Sequence, residues 1–428
     1  METLSSEFNL FEPVAIQTAI MEEYEEAVDP INTLQEGAPI TFSIPAVTDL
    51  YRDLNNSLLL VKCKITKADG SVPTTKLVGP VNLLLHSLWS NIEMEVKEKL
   101  ITEPNQLYPY RAFLETLINY EAGVLKNRHI MEGWDKDTGG HVSITKPDGE
   151  NLGLKQRMQR FDVGKSVSLI GRLHLDLWHQ DKTIPGNVPI KIRLIPNNNK
   201  FLLKTEAPSG SGATQEQYKL VVSYARLYIH TKKICPNLVL AHRELLQSQN
   251  FRIPYTKVNI KKYTIPSNSS TANFNSLFQG PLPDRVLICF VRDDAITGSY
   301  NLNPYHLDNL NINFIAMTVN GELFPKVPLQ PNFTSEDYIR EYMKLLTELG
   351  YDIGEKMLEL APSEWANGFT FFVFKITPGP IGAAVPRAGV ANLEIKFASA
   401  TSTTMSMLCL SQQQATMEID KFDNVILS

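Results

Sequence analysis

The stretch richest in chemistry-bearing side chains is IGRLHLDLWHQDKTIPGNVPIKIRLI, residues 170–195. It carries His174 and His179, Asp176 and Asp181, and Arg172 and Arg193. Imidazoles beside carboxylates are what metal ligation or acid–base catalysis needs. The spacing argues against both. Leu173, Leu175 and Leu177 fall on one parity and Arg172, His174 and Asp176 on the other, the period-two pattern of a half-buried β-strand. Ile190, Ile192 and Leu194 alternate in the same way with Lys191 and Arg193. The polar faces of the two runs complement each other in charge, as neighbouring strands favour. HQDKTIPGN between them has the Pro-Gly-Asn chemistry of an ordered loop. On a straight strand His174 and His179 point to opposite faces, which makes them poor joint ligands. Arg172, His174 and Asp176 then form a solvated or interfacial polar row.

Other motifs fail on spacing. FDVGKSVSL ends like a phosphate-binding loop at Gly164, Lys165 and Ser166, but position 159 is Gln where a glycine is required, and strand-like sequence follows. DKDTGGHVSITK opens like a calcium loop with Asp135 and Asp137. Gly139 and Lys146 occupy positions that need oxygen ligands, so a turn is expected. No G-x-S-x-G or H-E-x-x-H occurs. The basic clusters KQRMQR (155–160) and VNIKKY (258–263) are too short for a nucleic-acid stripe. The reading is therefore no catalytic, cofactor-binding or metal-ligating residues, and not an enzyme.

The elements around these residues are mostly strands. Runs such as PITFSIP, SLLLVKCKIT, YKLVVSYARLYIHTKKI, RVLICFVRD, FTFFVFKITP and NLEIKFA recur from residue 38 onward, broken by Pro, Gly, Asn and Asp. This pattern predicts sandwiches or barrels and excludes a βαβ fold. Three helices interrupt. YPYRAFLETLINYEAG places Tyr110, Phe113, Leu114, Leu117 and Ile118 on one stripe, with Pro109 near its start and Gly123 past its end. TSEDYIREYMKLLTELG has Thr334 and Asp337 as a capping pair and Gly350 as its stop; PNLVLAHRELLQ is the third.

At 428 residues the chain is long enough for two domains, and APSGSGATQEQ (207–217) marks a boundary near its midpoint. The halves show no sequence repeat. The first 51 residues hold ten acidic residues and no Lys or Arg; the other 36 acidic residues face 41 basic ones. Such a leader reads as a solvated arm, or as a docking segment for a basic surface such as a neighbouring subunit. The N-terminus lacks the basic and apolar regions of a signal peptide, and no apolar run is long enough for a membrane span. Secretion is not expected, and the sequons at Asn55, Asn268 and Asn332 are expected to stay unmodified. Cys63, Cys235, Cys289 and Cys409 lie far apart without ligand spacing and read as reduced thiols.

The same opening stretch, extended to IGRLHLDLWHQDKTIPGNVPIKIRLIPNNNKFLL, resembles the Gly-Arg-Leu-His-x-Asp … Pro-Gly … Ile-Arg-Leu … Phe-x-Leu signature of double jelly-roll major capsid proteins. Those of Polinton (Maverick) elements and adintoviruses are the nearest in pattern. VGPVNLLLHSLWSNIEMEV, YPYRAFLETLINY, FRIPYTKVNIKKYTIP, NSLFQGPLPDRVLICFVRDDAITGSYNLNPYHLDNLNINFIAMTVNGELFP and NLEIKFA agree in order, covering roughly residues 38–400. The region from MEEYEEAVDP and the tail SQQQATMEIDKFDNVILS match loosely. The resemblance implies an all-β fold with a few short helices, arranged as two tandem eight-stranded jelly-roll β-sandwiches. The expected division is an acidic arm (1–37), a first jelly roll (38–212) and a second with the C-terminal tail (213–428).

It further implies a homotrimeric, pseudo-hexameric, hexon-like capsomer that tiles an icosahedral shell around double-stranded DNA without sequence-specific binding. Neighbouring capsomers and a minor capsid or penton protein at the vertices are the implied partners, with no small-molecule substrate and no cofactor. The implied location is the virion capsid, with synthesis in the host cytoplasm and assembly in the nucleus. The helix at 108–120 and strand-flanking loops are candidate trimer contacts, the acidic leader a candidate arm to a neighbour, and the helix at 335–349 part of an insertion that forms a surface tower. Alternatives are a double jelly-roll scaffolding protein of an immature particle, a domesticated host copy, and a cupin-like enzyme; the last needs converging histidines that the spacing does not supply.

Overall fold

The structure, a computed structural model, describes residues 17–73, 78–162, 164–207, 215–351, 358–377 and 387–427. Alternating apolar residues build two sandwiches in succession. In the first, one sheet runs β1 (Ile20–Val28), β11 (Tyr218–Ile234), β3 (Leu50–Lys67), β7 (Val167–Gly171), with β8 (Ile184–Pro185) on β3. The other runs β2 (Ile40–Ile44), β9 (Ile190–Pro196), β5 (Trp89–Val96), β6 (Lys99–Leu100). A short ladder joins β4 (Val78–Pro80) to β10 (Leu203–Thr205).

In the second sandwich, β12 (Phe251–Ile265), β19 (Met405–Ile419), β14 (Arg285–Arg292) and β17 (Phe371–Lys375) form one sheet, with β20 (Val425–Leu427) on β19. β13 (Thr271–Pro281), β18 (Ala388–Phe397), β15 (Ile312–Val319) and β16 (Glu322–Leu329) form the other.

Counting the eight principal strands of each sandwich in chain order, both show sheets of order 1-8-3-6 and 2-7-4-5. That shared order is the jelly roll, repeated in structure without a repeat in sequence. It also corrects the expected division. β1 is the first strand of the first jelly roll, paired antiparallel with β11 from Ile20↔Ile234 to Val28↔Leu227, so residues 20–28 are not a free arm. β11 pairs in turn with β3, Tyr218↔Lys67 to Lys233↔Leu50, so the first jelly roll ends near residue 234 and not at 212. The glycine-serine loop read as the boundary lies largely outside the described residues. Charge explains the docking of β1: Glu22 faces Lys233 at 3.4 Å, Glu23 faces Lys232 at 3.8 Å, and Glu26 pairs with the buried Arg52. The basic surface that residues 20–28 meet is formed by the chain's own β11 and β3.

The opening stretch is also corrected. β7 stops at Gly171, residues 172–175 join no sheet, and Asp176–Trp178 form a single 3-10 turn. β9 pairs with β2 and β5, and its Lys191 and Arg193 meet Glu95 and Glu93, each at 3.3 Å. The leucines are buried as the parity predicted, but so are His174 and Asp176, so no solvated row exists. The connecting loop threads tightly: a Cβ on Gly186 would lie 2.2 Å from the Leu50 carbonyl oxygen and 2.3 Å from that of Val47.

Between β6 and β7 the first jelly roll carries an insertion with α2 (Tyr108–Asn119), α3 (Ala122–Asn127) and α4 (Leu152–Arg160); α1 (Leu84–Ser87) precedes β5. α2 has its predicted stripe, yet every residue from Tyr108 to Ile118 is buried, so it is not available as a trimer contact. Its rings pack on Tyr305 of the second jelly roll, Phe113 at 4.3 Å and Tyr110 at 5.7 Å between centroids. One continuous apolar core therefore spans both sandwiches. α2 ends at Asn119 on the extended Tyr120, and Gly123 lies inside α3 instead of stopping α2. α5 (Asn199–Leu202), α6 (Pro236–Leu246) and α7 (Asp293–Thr297) are connectors. Between β16 and β17, α8 (Ile339–Leu349) and α9 (Pro362–Ala366) form the corresponding insertion. Gly350 ends α8 at φ 82°, as predicted. Tyr338, not Thr334, precedes its first turn, and no side chain caps it.

Candidate functional site

His174 and Asp176 of the opening stretch converge with six other residues in a buried network between the first sandwich and its insertion. α2 carries two charges, Arg111 and Glu115, one helical turn apart on the same face, and its Thr116 hydroxyl lies 3.3 Å from His174 Nε2. Arg111 Nε donates to Glu115 Oε1 at 3.0 Å, and its Nη2 meets Asp176 Oδ1 at 2.6 Å. His174 Nδ1 donates to Glu115 Oε2 at 2.6 Å. The Tyr108 hydroxyl accepts the His174 backbone N–H at 3.1 Å and sits 2.9 Å from His86 Nδ1. His86 Nε2 lies 3.3 Å from Glu132 Oε2, which also accepts from His129 Nδ1 at 2.7 Å.

Electrostatics follow from burial and pairing. Burial pushes the His86 imidazole down to about 4. Burial works to raise the Glu115 carboxyl, but the charge of Arg111 and the hydrogen bond from His174 outweigh it and hold it well below the usual range. Burial likewise works against Glu132, and hydrogen bonds from His129 and His86 hold it low. Asp176 is raised, because burial outweighs its pairing with Arg111.

His174 and His179 do share a partner, against the parity argument. The chain leaves the sheet at residue 172, and the 3-10 turn at 176–178 brings the His179 ring to 5.3 Å from that of His174. Glu115, His174 and His179 offer ligand atoms within 4.8 Å of one another, as do His86, Glu132 and His174. Of these residues the sequence singled out only His174 and His179. Arg111 and Glu115 were visible as two charges inside an apolar helix; His86, His129 and Glu132 carry no spacing signal. The other motif candidates are structural. Asp137 and Asp135 pair with Arg157 at 2.7 Å and Arg160 at 2.5 Å, which also accounts for two charges of the basic cluster at 155–160.

The network reaches the second jelly roll. Asp176 accepts the backbone N–H of Val258, and Asn105 Nδ2 donates to the Ile260 carbonyl at 3.0 Å, both on β12. Lys136 pairs with Glu364 of α9 at 2.7 Å, and Asn303 Nδ2 donates to Asp137 at 3.0 Å. The two sandwiches are held by buried ionic and aromatic contacts together.

No family model matches the chain. A Caenorhabditis elegans relative described as uncharacterized protein F54H12.2 is 20% identical over 374 residues, 85% of each chain. Among solved structures, a chain of the Sputnik virophage matches with TM-score 0.63 and 10% identity, over 100% of this chain and 92% of that one. The mavirus major capsid protein matches with TM-score 0.55 and 12% identity, over 100% and 95%. The faustovirus major capsid protein matches with TM-score 0.56 and 10% identity, over 95% and 92%. With both sandwiches aligned in each case, this chain has the double jelly-roll fold of viral major capsid proteins.

Proposed function

We propose that the chain is a major capsid protein that assembles as a homotrimeric, pseudo-hexameric capsomer and tiles an icosahedral shell around double-stranded DNA. The observation that carries this reading is the match of both jelly rolls, in tandem and at full length, to viral capsid chains. In this reading the chain performs no catalysis, requires no cofactor or substrate, and encloses DNA without reading its sequence. Its partners are two further copies, neighbouring capsomers and a penton or minor capsid protein. It is made in the host cytoplasm, assembles in the nucleus and resides in the virion. The animal source of the relative at 20% identity supports an integrated Polinton or adintovirus-like element as the origin.

A trimer of this kind buries on the order of 2,000 Å² or more per interface with an apolar centre. Since α2 is occupied inside the chain, the subunit contact is assigned to apolar side chains left on the surface of the second jelly roll. Leu323 and Val327 on β16 and Ile339 and Met343 on α8 are exposed, and Arg340 donating to the Pro328 carbonyl at 3.3 Å holds the two elements together. Light scattering on the purified chain tests this. A species at three times 48.1 kDa with a pseudo-hexagonal outline supports the reading, and Val327→Glu with Met343→Glu should release folded monomers. A wild-type monomer at micromolar concentration contradicts it.

A further inference from the structure

We propose that His86, Glu132 and His174 form a buried site for one divalent transition-metal ion of the zinc class, which pins the β6–β7 insertion onto the first jelly roll. The three come from separate segments: α1, the turn after α3, and the segment after β7. One ligand atom of each lies within 4.8 Å of the others, and all three side chains are buried.

Three features distinguish this cluster from an ordinary buried hydrogen-bond network. The first is the outer shell. The Nδ1 of His174 is engaged by Glu115 and that of His86 by the Tyr108 hydroxyl, which leaves the two Nε2 atoms on the side of the cluster; His174 Nε2 also lies 3.3 Å from the Thr116 hydroxyl, a long contact that an ion would replace. Metal-bound histidines are held through their second nitrogen in this way. The second is distance. His174–Glu115 and His129–Glu132 are short, 2.6 and 2.7 Å, as charge-assisted hydrogen bonds should be, while His86 Nε2–Glu132 Oε2 is 3.3 Å. Two ligands held about 2.0–2.1 Å from a tetrahedral ion are themselves about 3.3–3.4 Å apart.

The third is charge. Glu115 has Arg111, but among the described residues the ion pairs of Glu132 are to histidines alone. Arg172, whose field reaches Glu132, donates its Nη1 to Asn55 at 2.6 Å. A buried carboxylate without a cation is costly, and a dication between Glu132 and the two imidazoles supplies that charge. Two imidazoles with one carboxylate suit zinc-class ions and not magnesium or calcium. The site is closed to solvent, so the ion enters during folding, and this inference holds whether or not the chain proves to be a capsid subunit.

The test is elemental analysis of the full chain made without an affinity tag, then refolded with Zn2+ or with Mg2+ plus chelator. One zinc per chain, retained under EDTA until the chain is unfolded, and a higher unfolding temperature with Zn2+ than with Mg2+ are expected. His86→Gln and Glu132→Gln should each lower zinc content at least tenfold, while His242→Gln keeps it. Should the variants fail to fold, X-ray absorption on the zinc-loaded wild type decides. A nitrogen and oxygen shell with two imidazoles supports the site, and sulfur ligands or a single imidazole overturn it. A folded wild-type chain without zinc, or folded variants that keep a full complement, also overturns it.

Discussion

Asp176 Oδ1 accepts the backbone N–H of Val258 at 3.2 Å, so a buried carboxylate of the first jelly roll closes directly on β12 of the second. The same oxygen lies 2.6 Å from Arg111, which also donates to the Val258 carbonyl at 3.4 Å. One guanidinium thus balances two buried acids and joins two sandwiches.

Removing that guanidinium strands both acids. Arg111→Met is expected to cost about 3–5 kcal/mol, the usual penalty for uncompensated buried charge. Chemical denaturation of both chains measures it. Lys326→Met, which breaks the exposed pair with Glu322, should leave the midpoint unchanged; equal effects from the two would refute the buried-network assignment.

Glu26 tests whether the N-terminal segment is part of the fold. Arg52 is 1% exposed and among the described residues bonds only Glu26 and the Thr231 hydroxyl, the latter at 2.8 Å. Glu26→Ala should destabilise by about 1–3 kcal/mol, since it leaves a buried charge with one neutral partner. A free arm would show no change in the same unfolding experiment.

Lys204 gives stability a pH dependence. Its buried Nζ donates to the carbonyls of Lys200 at 2.9 Å and Ser299 at 2.6 Å, and burial lowers its pKa to about 7. The unfolded side chain titrates near 10.4. Between these values the unfolded chain holds the extra proton, so raising the pH favours the folded state; below about 7 both forms are charged and the dependence vanishes. From pH 7 to 8.5, wild type should gain up to about 1.4 kcal/mol per pH unit relative to Lys204→Met. A constant difference would mean that the two carbonyls hold the ammonium charged.

Thiol reactivity should divide three to one. Cys63, Cys289 and Cys409 are buried, and burial pushes the first and last up to about 12 and Cys289 upward as well. Cys235, before α6, is only half-buried. Mass spectrometry after alkylation of the native chain should find Cys235 modified first and the others only on unfolding. Early labelling of Cys289 would show that the second jelly roll opens.

By itself the sequence determined most of the strands and the three longest helices, because periodicity reports local backbone geometry. Leu393, Ile395 and Phe397 alternate with Asn392, Glu394 and Lys396, and the former are buried. α6 and α8 follow from apolar spacing and their Pro and Gly ends. Only the tertiary structure decided what each element meets. β1 is an edge strand with polar side chains on both faces, so it carries no alternation, and its place depends on Lys232 and Lys233 some 200 residues away. β11 lies beyond the loop read as the domain boundary yet belongs with β3, since hydrogen-bond pairing is indifferent to chain distance. The buried cluster was hidden for the same reason. His86, Glu115, Glu132 and His174 lie on four segments, and their convergence depends on how the insertion packs, which no spacing along the chain records.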